Sequence, residues 1–384
     1  MTSVARLSRL LDLLSQDPRN PSLLAEIADQ QLQLADWAAA KSTLTQLLEL
    51  QPGDPLSRYR LAVAERHGND AARARSLLQD LVDQGHSHPA ILQELARSHA
   101  QLGDWGLVIP TLSSLRTSEL PPQECDAVRL LRLRALHRLG ALEEAAAEAR
   151  AWQAERGRDV PLQGQAAIAT LLLDAELLDE AAQLLSTIDS EALNGHAELA
   201  TAKGYVELGS GQLDGALAHF TKSTQVQPQF GRAHLGRGLA LAAGGNVEQA
   251  IQALKTAVQV TPEHLGSWHT LAWMQILAKD IDGAAASFEA ALARDPNFGE
   301  TYGGLGLIAA LRGDRQASER HLRVAAKLDR ASMNVMVAQT VLERGAGGLD
   351  ETVLGQALDR FMGMATKRSP TMKTMLMKMI RGTR

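Results

Sequence analysis

Three sets of residues in this 384-residue chain have the types and spacing of reactive or ligand-holding sites. Gly304, Gly306 and Ala309 spell G-x-G-x-x-A, the turn that brings backbone against a dinucleotide pyrophosphate; Gly236 and Gly238 repeat its first half. That chemistry needs a strand before the glycines. These glycines instead sit inside apolar helical periodicity, so their expected role is close packing. Eleven histidines raise the question of metal. His86 and His88 bracket a turn before Pro89 without acidic or thiol company. His264 and His269 lie five apart, off the i, i+4 spacing that puts two ligands on one helical face, and no H-E-x-x-H is present. Cys125 is the single cysteine. It has no His or Asn close in sequence to activate it, and alone it excludes an internal disulfide and any multi-cysteine metal site. No phosphate loop or nucleophile elbow occurs. The expectation is a non-catalytic chain with no cofactor, no metal and no catalytic residue.

Composition narrows the class further. Hydrophobic residues make up 45% of the chain, which favours a folded protein over a disordered one. Aromatics are only 3%, so Ala and Leu carry the apolar load, which suits close-packed helices. A net charge of -5 supplies no field for nucleic acid, and the basic residues are not interleaved with aromatics. No uninterrupted apolar run resembles a secretory signal or a spanning helix, so a cytoplasmic protein is expected. The richness in Ala, Leu, Arg and Gly points to a bacterial chain.

The elements that must position any site are written as a repeat. Pro228, Pro262 and Pro296 lie 34 residues apart. At the same interval run Gly211, Gly245, Lys279 and Gly313; Ala216, Ala250 and Ala284; Phe220, Leu254, Phe288 and Leu322; and Gly204, Gly238, Ala272 and Gly306. Each unit reads as helix A, a Gly-containing turn, helix B with Ala and a large apolar residue four apart, and a closing Pro. One such pair cannot bury its own apolar face; stacked neighbours can.

These residues, above all Trp268, Leu271, Ala284, Phe288, Ala291 and Pro296, with Gly238, Gly245, Ala250, Ala257 and Pro262 in the unit before, resemble the tetratricopeptide repeat (TPR) family. The resemblance implies an all-α helix-turn-helix solenoid, a TPR superhelix, of about nine repeats with a C-terminal capping region. Units are expected to begin near Pro21, Pro55, Pro89, Asp126, Leu162, Ala197, Gly231, Leu265 and Gly299, with loops at the insertions around 120–123 and 157–162. Arg129 and Arg132 fall where large apolar residues belong, so the Asp126 unit fits least well. The expected organisation is an N-terminal helix or half-repeat at 1–20, degenerate units over 21–196 and well-matched units over 197–330. Capping helices at 331–366 and a tail at 367–384 follow.

In this family helix A lines the concave face, and the resemblance implies that partners bind there. In the C-terminal units the inward positions are apolar: Tyr205, Leu239, Trp273 and Leu307 at the centre, with Leu208, Leu235, His269 and Ile276 beside them. Two readings stand, simple packing against the next helix and a hydrophobic groove for a partner's helix or extended peptide. The N-terminal units place Arg60, Arg66, Arg97, Arg134 and Arg138 inward, either as a basic patch for an acidic peptide or as a face paired with nearby carboxylates.

The tail from Lys367 has six basic residues and no acid. Met372, Met375, Leu376, Met379 and Ile380 fall at i, i+3, i+4, i+7 and i+8, one helical face. It caps the last repeat, binds a partner or folds back into the groove, or rests on an anionic membrane surface. The leading expectation for the whole is a protein-protein interaction scaffold or adaptor. The alternative is a peripheral assembly factor or secretion chaperone docked by the tail at the inner face of a membrane. Partner identity and oligomeric state are not written in these residues.

Overall fold

The computed structural model describes residues 3–115, 120–328 and 332–344. Among them all regular structure is helical. After α1 (Ser3–Gln16), the A helices are α2 (Pro21–Gln33), α4 (Pro55–His67), α6 (Pro89–Leu102), α8 (Pro122–Arg138), α10 (Leu162–Asp174), α13 (Ala197–Gly209), α15 (Gly231–Ala243), α17 (Leu265–Leu277), α19 (Gly299–Leu311) and α21 (Met333–Arg344). The B helices are α3 (Trp37–Leu50), α5 (Ala71–Asp83), α7 (Trp105–Ser113), α9 (Leu142–Arg156), α11 (Leu178–Ser186), α14 (Leu213–Val226), α16 (Val247–Val260), α18 (Ile281–Arg294) and α20 (Arg315–Leu328). The short α12 (Ser190–Gly195) lies between α11 and α13. Among the described residues this makes an all-α helix-turn-helix repeat with nine complete pairs. The chain divides into two units, Met1–Ala167 and Ile168–Arg384, with the division falling inside α10.

The turn between A and B is set by one backbone feature. A single residue in each A–B turn has positive φ: Ala35, Asn69, Gly103, Gly140, Glu176, Gly211, Gly245, Lys279 and Gly313. The amide that follows it bonds back to a carbonyl of the last helical turn, as Asp36 N–H does to Gln31 O at 2.9 Å and Asn246 N–H to Leu241 O at 2.9 Å. The same following residue then opens helix B. Asp36, Asp70, Asp280 and Asp314 each accept the amide three residues on, at 2.9–3.1 Å. Stop and start signals are therefore adjacent, which forces a tight antiparallel pair.

For the A helices other than α10, each B helix packs against the A helix before it and the A helix after it. Large B-helix residues fill the space between them. Phe220 is fully buried, and a Cβ added at Gly204 or Gly236 would stand 2.8 or 2.2 Å from its ring. Phe288 meets Gly304 in the same way, at 2.4 Å. At the equivalent positions one unit along, the smaller Leu254 is followed by Thr270 rather than glycine. Side-chain volume on B is thus matched by its absence on the next A. Trp152 and Gly164 repeat the device in the first unit.

The Asp126 region differs from expectation. Helix α8 starts at Pro122, four residues before the expected start, and buries Val128, Leu133 and Leu136. Arg129 and Arg132 do not occupy core positions; they pair with Glu155 and Glu148 on α9. The insertion at 157–162 contains a single 3-10 turn, Gly157–Asp159, rather than only loop.

Candidate functional site: an apolar pocket on the A helices of the second unit

The A helices of the second unit expose their side chains unevenly. Around α13 and α15 they leave a pocket of about 490 Å³. Leu173, Leu178, Leu208, Leu235 and Leu239 make it apolar, and Tyr205 stands among them. Its polar side is Asp174, Arg232, Thr261, His264 and Ser267. The volume lies within the range of sites that hold small ligands or side chains of a peptide.

Tyr205 is fixed from several sides. Its ring meets Phe220 edge-on at 5.0 Å, and its hydroxyl donates to the Arg232 carbonyl at 3.2 Å. Burial pushes its pKa up to about 12, so the phenol stays protonated. The Arg232 guanidinium lies 5.3 Å from the Tyr205 ring centre. The same guanidinium donates two bonds to Asp174, at 2.9 and 2.6 Å. This pair links the end of α10 to the first turn of α15, across α13. Burial depresses the proton affinity of Arg232, but the Asp174 hydrogen bond and charge outweigh it and raise the pKa. Each residue occupies the helix end whose dipole disfavours its charge: the acid at a C-terminus, the base at an N-terminus. Each therefore offsets the other. His264 accepts the Ser267 amide through Nδ1 at 3.2 Å and so caps α17; burial lowers its pKa and favours the neutral ring.

Of the eight groove residues expected from the sequence, Tyr205, Leu208, Leu235 and Leu239 line this pocket. The other four do not. Leu307 is completely buried and Ile276 nearly so, in one cluster with Met336, Val337 and Val341 of α21. Trp273 packs on that cluster, and its Nε1–H donates to Asn334 Oδ1 at 2.9 Å. Asn334 is buried and is held in turn by the Glu300 carbonyl. His269 sits 5.4 Å from the rings of both Phe288 and Phe298 and pairs with Thr301 Oγ1 at 2.9 Å. The reason is the period: Met333 lies 34 residues after Gly299, so α21 is the next A helix and packs against α19. Sequence reading did not single out Leu173, Asp174, Leu178 or Arg232 for the pocket. The Asp174–Arg232 link skips a helix and follows no repeat interval.

The expected basic patch of the first unit is a paired network. Arg60 donates to Asp29 at 2.7 Å. Arg66 and Arg97 both grip Glu94, at 2.6 and 2.5 Å, and Glu94 is only 5% exposed. Arg138 lies 5.8 Å from the Trp105 ring centre, and Arg134 is exposed. Three of the five arginines are thus held by two carboxylates, Asp29 and Glu94, which weakens the acidic-peptide reading.

The glycine lookalikes serve packing: Gly236 and Gly304 receive phenylalanine rings, and Gly238 and Gly306 receive Leu254 and Leu322. His88 accepts the Ala90 amide as the cap of α6. Among the described residues, no three His, Cys, Asp or Glu gather to hold a metal ion, and no helix is long and apolar enough to cross a membrane. The tail residues Met372, Met375, Leu376, Met379 and Ile380 lie outside the described residues, as does the part of the expected capping region after Arg344.

Comparison with known proteins agrees with the helix pairs. The tetratricopeptide repeat profile matches residues 26–89 and 201–263. Among solved structures, the chain is similar to the APC/C hetero-tetramer Cut9-Hcn1, at 16% identity and a TM-score of 0.38, covering 98% of this chain and 92% of that one. It is similar to YrrB, described as a TPR protein with an unusual peptide-binding site, at 18% identity and a TM-score of 0.38, covering 46% of this chain and 90% of that one. It is also similar to MamA MSR-1 C2, at 20% identity and a TM-score of 0.36, covering 42% and 92%. A search of curated proteins finds no match.

Proposed function

From the premise that this chain is a tetratricopeptide repeat protein, we propose that it is a non-catalytic interaction scaffold. Its pocket at Tyr205, Leu208, Leu235 and Leu239 takes the apolar side chains of a partner's amphipathic segment. The observation that carries this reading is the pocket itself: about 490 Å³ of mostly leucine-lined space left open on the A helices, while the equivalent surface at Trp273 and Leu307 is covered by α21. Leucines left open beside an aromatic ring are where binding free energy concentrates when a partner excludes water. The charged pair at one side would orient the segment.

The test is selection from a displayed peptide library on the full chain, followed by titration of the enriched peptides. Peptides with apolar residues at helical spacing are expected, and Leu235→Glu/Leu239→Glu should abolish their binding while helicity is retained. Enriched peptides that bind this variant equally well would refute the pocket as the site. The membrane-docked alternative depends on residues 367–384 and would show as vesicle binding lost with the tail.

A further inference from the structure

We infer that the pocket's resident occupant is the chain's own C-terminal segment, residues 367–384, which a partner must displace. The inference rests on the reading of the pocket as a peptide groove.

Charge is the first argument. Residues 168–300, which build the pocket, contain 16 acidic and 7 basic residues, a net of -9. Residues 1–167 contain 21 acidic and 18 basic, a net of only -3. The acidity is therefore greater in the stretch that carries the pocket than in the first unit. Asp174 lines it, Glu198 lies close enough to act on Arg232, and Glu263 close enough to act on His264. With Arg232 already held by Asp174, the local surplus is negative, so a cationic segment is favoured over an acidic one. Residues 367–384 carry six basic residues and no acid.

Shape is the second argument. The pocket is lined by five leucines and Tyr205. The tail's apolar set is three methionines, a leucine and an isoleucine, spaced for one helical face. Unbranched methionine side chains adapt to irregular apolar surfaces.

Reach is the third. The last described helix ends at Arg344, and 22 residues separate it from Lys367. From α21 to α15 is three steps between successive A helices, roughly 30 Å at about 10 Å per packed helix. Twenty-two residues span about 33 Å even if wholly helical, and about 70 Å if extended. The segment can reach the pocket in either state. Tethering also gives it an effective concentration in the millimolar range, so modest intrinsic affinity suffices. A tail that fills the pocket nine-tenths of the time weakens a partner's apparent affinity about tenfold.

The experiment uses the full chain throughout. Zero-length carbodiimide cross-linking, read by mass spectrometry, should join Lys373 or Lys378 to Asp174, Glu198 or Glu263 within one molecule. Cross-links confined to Glu319 or Glu343 would overturn the inference and make the tail a cap on the last repeats. Cross-links only between molecules would overturn it as well. In parallel, a labelled synthetic peptide of residues 367–384 is titrated onto the full chain and onto its Lys373→Glu/Lys378→Glu/Arg381→Glu form. Binding is expected about tenfold tighter to the charge-reversed form, and lost when Leu235→Glu/Leu239→Glu is added. Equal affinity for both forms means that the tail does not occupy its own pocket. If the tail peptide binds neither form while library-selected peptides still bind the pocket, the tail inference fails and the groove reading stands. If no peptide of either kind binds, the groove reading fails and takes this inference with it.

Discussion

The two units use the same helix pair to build opposite surfaces. In the first, the A helices are knitted by charge: Arg60 to Asp29, and Arg66 and Arg97 to the buried Glu94. In the second, one charged pair, Asp174–Arg232, stands beside leucines that remain partly open. The backbone that sets the pairs is alike in both, with one positive-φ residue per turn. The lesson is that the inward positions of helix A are free to vary because the repeat's own packing is carried by B-helix residues such as Leu78 and Phe220. A charged face satisfies itself. An apolar one stays unsatisfied until something covers it, as α21 covers Trp273 and Leu307.

The largest effects should come from packing that both units share. Gly236→Leu would drive a side chain into Phe220 and should cost about 3 kcal/mol or more, read as a lowered Tm; adding Phe220→Leu should restore part of it. Next is Glu94→Leu, which leaves Arg66 and Arg97 without their shared carboxylate and should destabilise the first unit by about 3 kcal/mol in denaturant unfolding. Asp174→Asn should cost below about 1 kcal/mol, because that pair is partly solvated. A loss at Asp174 as large as that at Glu94 would break the contrast between the units.

The largest pH response of a single histidine should also fall on the second unit. Burial among Phe288 and Phe298 holds the His269 imidazole down to about 4, below the 6.5 of an unfolded histidine. The folded state thus binds this proton less readily than the unfolded one, and protonation favours unfolding. Stability should be complete well above pH 6.5 and fall by about 3 kcal/mol as pH drops to 4, with His269→Gln flattening that slope in urea titrations. The smallest effect is a gain. Lys279 takes the φ of 63° that Gly211, Gly245 and Gly313 take without a Cβ, so Lys279→Gly should stabilise by about 0.5–1 kcal/mol.

The fold was legible because its signals are local and periodic. Gly211, Gly245 and Gly313 mark left-handed turns, and Phe220 and Phe288 mark the B-helix core at one fixed interval. The pocket was legible only in part. Tyr205, Leu208, Leu235 and Leu239, which line it, stand at inward positions on helix A that recur. Leu307 and Trp273 share that phase but lie under α21; whether an inward residue is open depends on the next helix, not on its own register. The Asp174–Arg232 link was missed because charges at two helix ends, 58 residues apart, carry no periodic signature.

The most direct test of the account is hydrogen exchange of the full chain with and without a saturating library-selected peptide. The account predicts new protection in segments 173–178, 205–209, 231–239 and 261–267, with residues 29–66 and 94–97 unchanged. Protection that appears instead in the Arg60–Arg97 segments, or around Trp273 and Leu307, would contradict it.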